Sequence, residues 1–565
     1  MRRPSVITIV GLPLIGLVLL PAVTNIATGA LPEKWQPYQW VAWPLAALLA
    51  IPVVVAEVRS RRRTSDSGIG TRQETATPDG VIWNIPPKMA TFTGRKAELR
   101  AIDRAATRQP NGAAVLCGLP GVGKTQVAAA YAAVHRGAFD LGWWVVADSR
   151  LAVVTSLAQL ADLLGIGGED QEAAARAAVR TLGGQSRWLL VFDNVTGEQD
   201  IADLIPSGDG RVLVTSRDPG LARLGTVVQI EPFDEKAATR FLLDRTGSAQ
   251  ADAATTLANE LGGLPLALEQ AAAYCISSGI GLADYLERYR SDRGRLMRQG
   301  APAGRLAVQA TVALAVREAG RRDPAAVQLL RLCAFFAGPA GIPRWLLTAD
   351  RRRLPMPLRR AAADLIRFDA AVAVLVRLAL VKAEGDLLRV HPLVQDLLVD
   401  QIGRTGPVRR RWRTVAGQRP GGDRTAGWDH TRWVRLAAEL ANAALSGDPG
   451  NPDGWERWTS MTPHVSRLLE HAAASEMFSE TTARLRNQTG WYLWHRGEYA
   501  NARLMLEQAY QEAKRAFGNE HPDTLGTMNN LAEVLRAQGD LDAAHHLHQQ
   551  TLDITRRVLG DEHPH

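Results

Sequence analysis

The chain has 565 residues, a formal net charge of +8 and a pI near 9.6. That length exceeds what one hydrophobic core serves and predicts about three or four domains. The cysteines, Cys117, Cys275 and Cys333, are too widely spaced for a disulfide framework or a cysteine-ligated metal. Short Arg runs stand at 61–63, 351–353 and 409–411, the last beside Trp412, but no longer basic stripe interleaved with aromatics suggests a nucleic-acid surface, so nucleic acid is not an expected partner.

The first two predicted elements are apolar and uncharged, Val6–Val23 and Trp40–Ala56. Each approaches the length that crosses a hydrocarbon core. Trp35, Tyr38, Trp40 and Trp43 sit where an aromatic belt would lie, and Arg2, Arg3, Arg59 and Arg61–Arg63 flank the pair. The expectation is a transmembrane helical hairpin over residues 1–58, a multi-pass cell-membrane protein, and a large cytoplasmic domain. In the rival reading the first run is a cleaved signal peptide and the second a single anchor. A polar linker over 59–88 follows.

The next domain is expected over 89–235. Ala113–Leu116 reads as a buried strand, Gly118–Thr125 as a phosphate-binding loop of the form GxxxxGKT, and Gln126–His135 as a helix. Glycines at 118, 121 and 123 free backbone N–H groups to face phosphates. Val122 and Gln126 belong to the same nucleotide-binding segment. Lys124 reaches the β- and γ-phosphates, and the Thr125 hydroxyl ligates Mg2+. Trp188–Asp193 is an apolar strand ending in a carboxylate, which places Asp193 with Thr125 at the metal. Lys124 and Asp193 are the candidate catalytic pair. The next residue, Asn194, cannot accept a proton, so at most slow ATP hydrolysis is expected. Arg211–Arg217 is another strand, and Arg217 reads either as a γ-phosphate sensor or as a surface Arg. With strands at Trp143–Ala147 and Val227–Ile230, the alternation predicts a doubly wound parallel sheet.

Four further segments stand in order around the P-loop: Trp83–Pro87, Phe92–Arg95, Gly262–Ala267 and Val390–Gln395. Together they resemble the NB-ARC branch of the STAND signalling ATPases. The resemblance implies an α/β P-loop domain with a helical lid over 236–300 and a winged-helix domain over 301–405. It also implies ADP or ATP as the bound nucleotide. It places Phe92, Gly94 and Arg95 against adenine and ribose, Pro265 near the base, and His391 toward the β-phosphate of ADP. Without it, Gly263–Pro265 reads as a turn between helices and His391 as a capping or packing residue. The family's Met-His-Asp is Val390-His391-Pro392 here, so the acid is missing.

A helical bridge is expected over 406–480 and tetratricopeptide repeats over 481–565. His521-Pro522 and His563-Pro564 lie 42 residues apart, and Gly497 and Gly539 keep the same spacing. A fixed period with helix–turn–helix content means an α-solenoid. His545, His546 and His548 lack metal-ligand spacing and are read as surface residues.

The functional expectation is a membrane-tethered switch, off with ADP and on with ATP and Mg2+. Its repeats bind a protein or peptide, and the ATP form self-associates into a homo-oligomer. The alternative is a repeat adaptor with a structural, weakly catalytic nucleotide site.

Overall fold

The computed structural model describes residues 82–88, 92, 94–107, 113–167, 170–298, 306–403, 425 and 428–559. Short apolar runs form one parallel sheet. They are β1 (Ile82–Trp83), β2 (Ala113–Cys117), β3 (Leu141–Val146), β4 (Trp188–Val195), β5 (Arg211–Ser216) and β6 (Thr226–Gln229). Their spatial order is β1-β3-β4-β5-β2-β6. Every residue of β2 is buried, because helices cover both faces of a parallel sheet and leave no wet side. On one face, Ile102 of α1 (Lys96–Thr107) and Val127 and Tyr131 of α2 (Lys124–Val134) pack on the strands. On the other, α3 (Arg150–Leu163) and α4 (Gln171–Gly183) contribute Val153, Leu157, Ala174 and Ala178.

The strand order positions the site. β5 lies between the P-loop strand β2 and the Asp193 strand β4. The carboxyl ends of the three strands therefore stand side by side, where ligands bind in open α/β sheets.

Helices α5 (Glu235–Thr246), α6 (Ala251–Glu260), α7 (Pro265–Ser278) and α8 (Leu282–Arg298) follow. They bury small residues such as Ala258, Ala267, Ala271 and Ala272 in close packing. The next group holds α9 (Leu306–Arg322), α10 (Pro324–Cys333), β7 (Ile342–Pro343), α11 (Arg344–Leu347), α12 (Leu358–Ala361), α13 (Leu365–Arg377), β8 (Lys382–Glu384), β9 (Leu387–Arg389) and α14 (Pro392–Gly403). Its strands form an antiparallel sheet in the order β7-β9-β8. Helix α10 stops at Cys333, before the end of the apolar run that continues to Ala337. The Gln395 amide donates to Cys333 O at 2.7 Å and to Phe336 O at 2.8 Å, so the carbonyls freed by the turn are satisfied.

Two long helices, α15 (His430–Ala444) and α16 (Trp455–Ala474), lead into two helix pairs. These are α17 (Glu480–His495) with α18 (Tyr499–Phe517), and α19 (Pro522–Ala537) with α20 (Leu541–Leu559). Gly497 at φ +74° and Gly539 at φ +85° make the two corresponding turns, a left-handed conformation that costs glycine nothing.

The transmembrane hairpin is the part of the expected fold that is corrected. Among the described residues no helix is long and apolar enough to cross a membrane. Even the 20-residue α16 carries Glu456, Arg457, Arg467 and Glu470, the pattern of a helix with one packed and one solvated face. Residues 1–58, where the hairpin was expected, lie outside the described residues. The multi-pass membrane localisation, which rested on that hairpin, is withdrawn with it.

Candidate nucleotide site

The loop from β2 to α2 is shaped by glycine. A Cβ at Gly118 would lie 2.3 Å from Ile230 O, so no larger residue fits there. Gly123, at φ +96°, is the N-cap of α2 and offers no capping side chain. The first N–H groups of α2 thus remain open toward an anion, with the helix dipole behind them. The Lys124 ammonium folds over the loop and donates to Gly118 O at 2.8 Å and Leu119 O at 3.1 Å. Burial, and then the nearby Arg217, push its pKa down to about 8. Val122 is buried beneath the loop, and Gln126 Oε1 is a buried oxygen without a partner among the described residues.

Thr125 and Asp193 come together as expected from their motifs. The Thr125 hydroxyl donates to Asp193 Oδ1 at 2.8 Å. A second hydroxyl, Thr215 on β5, donates to the same oxygen at 2.6 Å and accepts from the Asn194 N–H at 2.8 Å. Burial raises the Asp193 pKa, and the two hydroxyls and Lys124 oppose it. Asn194 has φ +68°, and the β4–β5 register shifts between Phe192 and Val195. The strand therefore bulges where the second acid of other P-loop ATPases would stand. Thr215 was not singled out from sequence, although its place beside Arg217 was the available signal.

Arg95 is buried, at φ +64°. It donates to Val122 O at 3.1 Å, to Glu231 O at 2.6 Å and to Glu98 at 2.7 Å, with its guanidinium over the Phe233 ring. The structure thus places it as a brace under the P-loop. Gly94, at φ +71°, lies beside Phe233, and Phe92 packs on the core of the α1–α2 face. Phe233 itself carried no sequence signal. Its N–H donates to Gly263 O at 2.9 Å. Pro265 is the first residue of α7, where a missing N–H costs nothing. The next residue, Leu266, donates its N–H to Gly121 O at 3.2 Å.

The first turns of α14 approach from the other side. His391 Nδ1 accepts the Leu393 N–H at 3.1 Å, so the residue caps its helix. That bond assigns the proton of the neutral ring to Nε2. His391 keeps an exposed edge but lies in a cleft crowded by protein. Burial first, then Arg217, Lys124 and Lys382, push its pKa down to about 4. Leu393 approaches Gly121, where a Cβ would meet its Cδ2 at 3.7 Å. Asp396 lies 3.8 Å from Arg217. Asp396 stands one helical turn beyond Pro392, on the same face of α14.

The repeats also touch this domain. Gln171, at the start of α4, receives the Arg496 guanidinium at 2.6 and 2.7 Å and donates to Glu498, with its amide assigned to satisfy both partners. The Gln171 N–H donates to Arg496 O. Burial raises the Asp148 pKa to about 6, with Glu470 of α16 as the next cause.

Residues 98–247 match the NB-ARC domain, and residues 482–523 and 524–565 match tetratricopeptide repeats. A nucleotide-binding leucine-rich repeat (NLR)-like protein of Hyaloscypha variabilis is 25% identical over 504 residues, covering 80% of this chain and 46% of that protein. The regulatory protein AfsR of Streptomyces coelicolor is 28% identical over 288 residues, covering 47% and 29%. The chain spans less than half the length of these curated relatives. Two solved structures show distant likeness. One is a Signal Transduction ATPase with Numerous Domains (STAND) protein with a tetratricopeptide repeat sensor from Pyrococcus horikoshii (TM-score 0.36, 13% identity, 86% of this chain and 80% of that one). The other is a Walker-type ATPase of Pyrococcus abyssi (TM-score 0.29, 16% identity, 56% and 99%). The chain therefore carries an NB-ARC nucleotide-binding domain followed by tetratricopeptide repeats.

Proposed function

We propose that this protein is a nucleotide-dependent signalling switch whose repeats sense a protein or peptide. ADP holds the closed form, and exchange for ATP opens it toward a self-associating state. The observation that carries this reading is the double contact at Gly121. Leu266 of the lid bonds its carbonyl and Leu393 of α14 approaches its Cα, so both outer layers close on the phosphate loop itself. A ligand that binds the closed and open forms unequally shifts the balance between them. His391, with Nε2–H as its free donor, is the group that favours a diphosphate in the closed form.

Mg2+ fits the site. Thr125 and Asp193 present two hard oxygens in direct contact, and Mg2+ in nucleotide sites takes few protein ligands and keeps phosphate and water oxygens. The metal would neutralise phosphate charge there. Lys124 binds the phosphate chain, and Arg217 responds to its terminal group. Asn194 accepts no proton, so hydrolysis is slow and the nucleotide reports conformation. The repeats and the end of α16 border a groove of about 850 Å³ lined by Leu469, Arg486, Arg503, Tyr510 and Arg515, which suits an extended peptide.

The test is the nucleotide content of purified wild-type protein and of Lys124→Ala. Wild type is expected to retain ADP and the variant to lose it; equal content in both sinks the proposal.

A further inference from the structure

Asp396 of α14 faces two cations from two other parts of the molecule. Its Oδ2 lies 3.8 Å from Arg217, at the end of β5, and its Oδ1 lies 3.8 Å from Arg467, on α16. One carboxylate thus links the nucleotide domain, the helix after the small sheet, and the bridge to the repeats. Arg217 stands at the phosphate end of the cleft, where it is the leading like charge acting on both Lys124 and His391. All three side chains of the cluster are between three-tenths and about four-tenths exposed, so the pairs are held loosely enough to exchange.

We infer that Asp396 is a specificity-determining residue that sets the preference of the site for a nucleoside diphosphate over a triphosphate. This rests on the nucleotide reading above. In the closed form Asp396 engages Arg217 in the place a terminal phosphate would take. A triphosphate brings a more highly charged, three-oxygen acceptor, which an Arg fork prefers to a single carboxylate. It binds by drawing Arg217 away from Asp396. The released carboxylate is not stranded, because Arg467 remains within ion-pair distance, and this lowers the cost of exchange. Arg467 and Arg217 share one acceptor, so strengthening either pair weakens the other.

The test measures affinities of the full chain for ADP and for the non-hydrolysable β,γ-imido analogue of ATP, with Mg2+. Asp396→Asn is expected to raise the triphosphate-to-diphosphate affinity ratio about two- to fivefold, the range of one partly exposed ion pair. Arg467→Gln, which leaves Asp396 to Arg217 alone, is expected to lower that ratio. In an Arg217→Gln background, Asp396→Asn is expected to change nothing, as a double-mutant cycle requires of a direct pair. An unchanged ratio in Asp396→Asn with both nucleotides bound overturns the inference. So does a full effect persisting without Arg217. If Asp396→Asn does not fold, a ratio that stays level in Arg467→Gln overturns it independently. Failure of wild type to bind either nucleotide strikes the switch reading instead.

Discussion

The N–H of Leu266 donates to the carbonyl of Gly121 at 3.2 Å, so helix α7 is joined to the P-loop by main chain. Gly262 and Gly263 precede that helix at φ +63° and +62°, and they turn the chain back so that α7 starts over the loop. Helix α7 reaches the phosphate loop through this turn.

The two glycines are expected to respond differently to alanine. A Cβ at Gly263 would lie 2.1 Å from Phe233 O, whereas Gly262 has open space. Gly262→Ala pays only for the left-handed backbone, about 1 kcal/mol. Gly263→Ala adds a backbone clash, and the total is expected at roughly 3 kcal/mol or more. Urea unfolding of both variants checks the order; similar midpoints would contradict the close approach.

The contact between the repeats and the nucleotide domain is expected to depend on pH. Burial, with Glu172 and Asp170 nearby, raises the Glu498 pKa from its ordinary 4.5 to about 8. A carboxyl raised in the fold binds its proton more tightly there than in the unfolded chain. Its contribution to stability is full below about pH 4.5 and falls as pH rises toward 8. Glu498→Gln removes the charge and keeps one acceptor oxygen for the donors on Gln171 and Asn501. Melting temperature followed from pH 5 to pH 9 should slope downward in wild type and less so in the variant.

Within the solenoid, Arg486 and Glu512 form a buried pair at 2.7 Å, and Gln508 also accepts from Arg486 at 2.5 Å. Removing one partner leaves a buried charge alone. Either Arg486→Met or Glu512→Leu should destabilise by about 3–5 kcal/mol, and the double substitution should recover most of it. Chemical denaturation of all three variants provides the check, with additive losses as the contrary outcome.

Acid is expected to act elsewhere. His464 Nδ1 accepts the Ala337 N–H at 3.2 Å, and His471 packs edge-on to Phe335 beside His430. Burial pushes the pKa of His464 down to about 4 and that of His471 to about 3, with Arg467 and His430 adding to the second. A base depressed in the fold contributes stability above its ordinary value near 6.5 and loses it as pH falls toward 4 and 3. Stability measured between pH 7 and pH 4 should fall in wild type and fall less steeply in His471→Phe.

The elements legible in the sequence were those whose information is local. The P-loop, Asp193 and the repeat turns are spelled by spacing within a few residues, and the main strands by buried apolar runs. β1 was seen only as part of a motif, because two residues carry no periodicity. Thr215 reaches Asp193 only because β5 lies between β2 and β4, and strand order is not written in either strand. Asp396 and Gln171 became visible once the docked helices were. His391 reads from sequence as either a capping or a nucleotide-facing residue, and the structure shows the cap, through Nδ1 to the Leu393 N–H.

Helix α14 is 12 residues long, a rod of about 18 Å. Its first turn rests on the P-loop through Leu393. If that end acts as the fulcrum, a tilt of about ten degrees carries the other end roughly 3 Å. A small rotation at the phosphate-loop end would then be a displacement of several ångströms at Gly403.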